Sequence, residues 1–214
     1  RGKVVLGELP TERKTAYFPD VWDMCKPAKS QFTSGPFGIL HHKAHERLKR
    51  VVPLFEASAF NTYEGPEKPE LLIITSGVCY LYCQEAIAML GVGGRVGIYR
   101  LGTTWPLPEQ AVRKQLERTS KVLFVEEIDA FTEGNVMEFA ASLGEAMKPH
   151  TFMGKRSGHI PSWGALSTDL VAQTLGSILN VPYKIAGRDA AYSEGLKEAT
   201  KMVPPRAINL CPGC

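Results

Sequence analysis

A continuous apolar run, Leu71-Leu72-Ile73-Ile74-Thr75, constrains this chain more than any other feature. Apolar residues at successive positions, without alternation, are what a strand buried on both faces requires. Ser76-Gly77 makes the turn, and residues 78–90 read as a helix closed by Gly91. The pattern then repeats. Residues 95–101 form a second strand, and a helix follows through Ala111, Val112, Gln115 and Leu116, with Pro108 suited to its first position. Residues 121–125 are a third strand and 133–147 a third helix. A fourth strand over 150–153 and a further helix over 168–179 complete the series. Strands and helices alternating at this spacing call for right-handed crossovers and a mostly parallel sheet covered on both sides. The expected class is a three-layer α/β/α fold.

The flanks read differently. Up to about Gly38 there is no sustained period, and Pro10, Pro19, Pro27 and Pro36 interrupt the chain, as in a connector laid over a surface. Leu40, Ala44, Leu48, Val51, Val52 and Phe55 then recur at helical spacing. Pro53 should kink that helix or end it near Val52. From Val181 the pattern is mixed and runs into an extended Val203-Pro204-Pro205-Arg206 segment. These breaks divide the chain into a connector arm and helix (1–58), an α/β domain (59–180) and a linker (181–214).

Composition removes several function classes. With 44% apolar and 22% charged residues, wholesale disorder is excluded. A net charge of +3 is too small to argue for nucleic acid or an anionic membrane as a partner. The most apolar window, 71–90, is broken by Ser76, Gly77, Gln84 and Glu85, whereas a membrane span needs about 20 predominantly apolar residues. No secretory signal pattern opens the chain. The expectation is a soluble, cytoplasmic protein whose five cysteines, an odd and unevenly placed set, are reduced thiols. A start at Arg1 and an end on Cys-x-x-Cys suggest a piece of something longer.

Several candidate sites carry two readings each. Gly91-Val92-Gly93-Gly94-Arg95-Val96-Gly97 invites a dinucleotide loop, but Val96 stands where a glycine is needed, and the segment follows a helix instead of preceding one. Gly154-Lys155-Arg156 lacks both the hydroxyl after Lys and the upstream glycine of a phosphate loop. His41 and His45 share a helix face beside His42, and with no third ligand in view a solvated histidine face is the reading. Cys79 and Cys83, four apart on a helix, read as core thiols. Glu126, Glu127 and Asp129 follow the third strand directly, where α/β ligand sites form. They suit acid–base or metal chemistry, and equally the capping of loop and helix amides. Cys211-Pro212-Gly213-Cys214 is the sharpest motif, a half-site for iron or zinc.

Five segments in register carry a resemblance. They are Ile74-Thr75-Ser76-Gly77-Val78, Leu101-Gly102-Thr103-Thr104-Trp105-Pro106-Leu107-Pro108, Leu123-Phe124-Val125-Glu126-Glu127, Gly154-Lys155 with Gly158-His159-Ile160-Pro161, and Leu210-Cys211-Pro212-Gly213-Cys214. Their order and spacing resemble the alpha subunit of the thiamine-diphosphate-dependent indolepyruvate:ferredoxin oxidoreductases. Ala165 departs from the pattern, which has an acidic residue at that place.

The resemblance implies an internal fragment of that subunit. Residues 59–180 would be its transketolase C-terminal-like domain, with a five-stranded sheet whose one antiparallel strand falls at Phe60-Asn61-Thr62-Tyr63. The linker would lead into a missing pyrophosphate-binding domain. The parent would oxidatively decarboxylate aryl pyruvates to aryl-acetyl-CoA with reduction of ferredoxin, using thiamine diphosphate, Mg and 4Fe-4S clusters. Its partners would be the other domains of the alpha subunit, the beta subunit, ferredoxin and coenzyme A. The fragment is expected to hold no catalytic residue and no cofactor, with Cys211 and Cys214 either iron–sulfur ligands, in the intact subunit only, or simply the shapers of the turn entering the next domain. The alternative is a flavodoxin-like or transketolase-like assembly or nucleotide-binding module outside any redox enzyme.

Overall fold

The computed structural model describes residues 12, 37–184 and 190–203. These residues fall into two compact units, one up to Val51 and one from Val52 onward. Helix α1 (Phe37–Glu56) straddles that boundary. It runs on through Pro53 instead of ending near Val52. Only one helical turn remains beyond the proline, so the single amide it lacks is tolerated, and Ala57 N–H donates to the Pro53 carbonyl at 3.2 Å to close the end.

The second unit is built on a five-stranded sheet. Its strands are β1 (Thr62–Glu64), β2 (Leu71–Thr75), β3 (Val96–Arg100), β4 (Lys121–Val125) and β5 (Thr151–Met153), in the order β1-β3-β2-β4-β5. β2 pairs in parallel with both β3 and β4, and β4 with β5. β1 is antiparallel to β3, with Thr62 opposite Arg100 and Glu64 opposite Ile98. The antiparallel edge is therefore present, two residues later than the resemblance placed it. Asn61 explains the shift: its side chain is engaged by the Gly102 and Thr103 amides, which it accepts at 2.9 and 3.1 Å, and by the Phe55 carbonyl, to which it donates at 2.8 Å.

Period-two alternation divides the buried strands between two cores. Leu71 and Ile73 face a core with Cys79, Cys83 and Ala86 of helix α2 (Cys79–Leu90) and Val171, Leu175 and Leu179 of helix α5 (Thr168–Leu179). Leu72 and Ile74 face the other core, with Val112 and Leu116 of helix α3 (Glu109–Leu116) and Val136 and Phe139 of helix α4 (Phe131–Ser142). This is the expected three-layer arrangement. The chain steps from β2 to β3 across one face and from β3 back past β2 to β4 across the other, as a constant crossover hand demands when the direction reverses.

Capping chemistry fixes the ends. Gly91 closes α2 in the left-handed region (φ +65°), so the glycine-rich stretch is a helix stop and not a phosphate loop. Ser167 caps α5 through its hydroxyl, and Asn180 ends it at φ +55°. α4 stops at Ser142, short of Met147, because Gly144 (φ +52°) turns the chain into a short 3-10 helix, Gly144–Ala146. One element was not foreseen: helix α6 (Ala190–Met202) lies in the stretch read as linker.

Candidate functional site

β2 and β4 lie side by side with their C-terminal ends together, yet their chains leave for opposite faces, to α2 and α4. Divergence of this kind opens a crevice at the carboxyl edge of the sheet. Here it is an open cleft of about 450 Å³, floored by Ser76 and Gly77 and walled by Thr104, Glu126, Glu127 and Asp129. Val78, Ile128 and Phe131 stand exposed at its rim. Ile128 sits at φ +62°, a conformation rare for a β-branched residue.

Glu126 is buried, and both of its oxygens are engaged. Oε2 accepts the Thr132 amide at 2.7 Å and Oε1 the Glu133 amide at 2.9 Å. A carboxylate placed just before α4 thus satisfies two of the four amides that a helix start leaves open, and it faces the positive end of the helix dipole. Of the two functions its position allowed, capping is the one the geometry supports. Glu127 is half-buried and Asp129 exposed.

A second carboxylate extends the network, and the sequence did not single it out. Glu133, 1% exposed, accepts the Lys155 amide at 3.0 Å and the Arg156 amide at 3.3 Å. The loop that resembled a phosphate cradle therefore does turn its amides inward, but an internal carboxylate occupies them. Gly154 is required there, since a Cβ would stand 2.7 Å from Glu133 Oε2. Lys155 is also buried, its Nζ donating to the Pro161 carbonyl at 2.9 Å.

The thiols near this edge are not nucleophiles at neutral pH. Burial, followed by the nearby Glu127 charge, pushes Cys79 up to about 11. Burial pushes Cys83 up to about 12. Both are free cysteines inside the core, as their spacing suggested. Cys211 and Cys214 lie outside the described residues. Among the described residues no group of three or more histidine, cysteine or acidic side chains could hold a metal ion. The cleft does not suit a diphosphate cofactor. It offers the diphosphate no cationic side chain, its ionisable lining being Glu126, Glu127 and Asp129, and both Glu126 oxygens are already taken by amides. Among the described residues no helix is long and apolar enough to cross a membrane.

Comparison with known proteins adds what the cleft alone does not. The chain aligns over its whole length with indolepyruvate oxidoreductase subunit IorA of Thermococcus kodakarensis, at 32% identity, and covers 32% of that subunit. IorA of Pyrococcus abyssi gives the same identity and coverage. The chain is homologous to part of an IorA subunit. IorA of Archaeoglobus fulgidus matches at 30% identity over 79% of the chain and 25% of the subunit. The chain thus spans about a third of the length of the first two relatives. No family model matches it. Among solved structures, a 2-oxoglutarate:ferredoxin oxidoreductase from Magnetococcus marinus superposes with a TM-score of 0.47 at 18% identity, over 76% of this chain and 27% of that one. A split-gene transketolase gives a TM-score of 0.43 at 17% identity, over 57% and 43%. Scores this low carry no weight, and the fold stands on its own strand order.

Proposed function

We propose that this chain is an assembly domain of a thiamine-diphosphate-dependent indolepyruvate:ferredoxin oxidoreductase alpha subunit. The parent enzyme oxidatively decarboxylates aryl pyruvates to aryl-acetyl-CoA and passes the electrons to ferredoxin. The observation that carries this reading is the IorA similarity over the full 214 residues. Residues 59–180 are the domain proper, 1–58 an arm, and 181–214, with α6 inside it, the passage to the next domain. Glu126 at the carboxyl edge and Glu133 in α4 are spent on helix and loop amides, which suits a part that is inert by itself. In the parent, thiamine diphosphate with Mg supplies the carbanion chemistry and 4Fe-4S clusters the electron transfer, all held outside the described residues. The partners are the remaining alpha-subunit domains, the beta subunit, ferredoxin and coenzyme A, in the cytoplasm.

Cys211 and Cys214 are assigned as two ligands of an iron–sulfur cluster completed by the following domain, since such clusters as a rule take four cysteines. Two measurements test the reading. The intact protein, purified with its full reading frame and partner subunit, is expected to reduce ferredoxin in the presence of indolepyruvate and coenzyme A, while the 214-residue chain does not. An intact protein without that activity contradicts the assignment. Iron per chain should fall in a Cys211→Ala, Cys214→Ala variant of the intact subunit. Unchanged iron would make the motif a hinge.

A further inference from the structure

We propose that His41 and His45 form a two-histidine chelate for a divalent transition-metal ion that takes ligands at right angles, with copper(II) bound in preference to zinc. Positions four apart on a helix stand one above the other. On α1 both rings are exposed, meet edge to face at 4.4 Å between centroids, and bring their Nε2 atoms to 2.9 Å. Without metal this contact is a hydrogen bond in which one Nε2–H donates to the other ring.

An ion binds by taking the Nε2 lone pair of each ring. The donor ring then carries its proton on Nδ1, so two neutral imidazoles bind without releasing a proton. The rings turn out of that hydrogen bond to aim both lone pairs at one ion, and their nitrogens already stand within the span of a shared ion. With metal–nitrogen bonds of about 2.0–2.1 Å, nitrogens 2.9 Å apart subtend about 90° at the ion. A tetrahedral ion would need them about 3.3 Å apart at the same bond length. Right-angled pairs belong to tetragonal copper(II) and nickel(II), and the general affinity order places copper above both nickel and zinc. Such an ion completes its shell with water and needs no third protein ligand, the lack of which favoured a solvated histidine face in the sequence. Glu46, next to His45, is held by Lys49 at 2.9 Å. This site is independent of the oxidoreductase reading and stands or falls without it.

The probe is copper(II) chloride, titrated by calorimetry into the 214-residue chain. Cys25→Ser, Cys211→Ser and Cys214→Ser form the background, which removes competing thiols while Cys79 and Cys83 stay buried. One copper per chain is expected, with two imidazole nitrogens resolved in its paramagnetic resonance spectrum. His41→Ala and His45→Ala should each weaken binding at least tenfold, and His42→Ala should leave it unchanged. All three side chains are exposed, and far-UV circular dichroism confirms that each variant is folded. Affinity unchanged in both His41→Ala and His45→Ala, equal loss in His42→Ala, or zinc bound more tightly than copper would overturn the proposal.

Discussion

Glu126 shows how far a single residue can be read in advance. A carboxylate directly after a parallel strand and a few residues ahead of a helix is placed either for catalysis or for capping, and nothing local separates the two. The structure decides through two amides, 2.7 and 2.9 Å away. Replacing Glu126 with Ala leaves those buried donors open, so urea denaturation should show a loss of about 1–3 kcal/mol. Glu127→Ala, at a half-buried position, should cost much less. Glu133 was out of reach because its partners, Lys155 and Arg156, lie more than twenty residues away, and no local spacing announces such a contact. The buried titratable groups give a pH signature. Burial raises Cys79 from an ordinary 9.0 to about 11, Cys83 from 9.0 to about 12, and Tyr99 from 10.0 to about 12. Raised values in the fold mean that the unfolded chain loses these protons first. Stability should therefore be full below about pH 9 and decline as the pH climbs from there to about 12. The buried Tyr99 hydroxyl finds no hydrogen-bond partner. Tyr99→Phe should leave stability equal or higher by about 1 kcal/mol and make the alkaline decline shallower. A clear loss in urea denaturation would show that the hydroxyl is satisfied after all.

At the scale of elements, legibility followed burial. β2 and α5 lie where continuous apolar runs and helical spacing put them, because both are packed against the sheet or belong to it. β1 was displaced by two residues because its start depends on Asn61 reaching across to Gly102 and Thr103, a distant partnership. α6 was missed because its side chains are exposed throughout the described part, so no buried face stamps a period on the sequence. The length of α4 was overestimated because Ala146 and Met147 keep the helical spacing from Leu143 although Gly144 has turned the chain out of the helix. The loop after β5 supplies a test at this scale. Gly154→Ala must displace the Glu133 carboxylate from the Lys155 and Arg156 amides or shift the loop. The expected cost is about 1–3 kcal/mol, read as a lower denaturation midpoint with an unchanged urea slope. A midpoint equal to that of the unsubstituted chain would mean that the carboxylate is not held there.

The whole molecule was legible as a class and less so as a function. Strand–helix alternation was enough for a mostly parallel sheet between two helical layers, since Leu71 to Thr75 admit burial on both faces and little else. Function needed the resemblance and the IorA relatives, because the one buried carboxylate at the carboxyl edge, Glu126, serves as a cap. On the proposed function, this chain contributes structure to a larger oxidoreductase and binds none of its cofactors. Isothermal titration of the purified 214-residue chain with thiamine diphosphate plus Mg, and separately with coenzyme A, tests it most directly. No saturable heat is expected at ligand concentrations up to about 100 μM, corresponding to binding weaker than about −5.5 kcal/mol. Sub-micromolar binding of either ligand would contradict it and return the cleft at Glu126 to the status of a binding site.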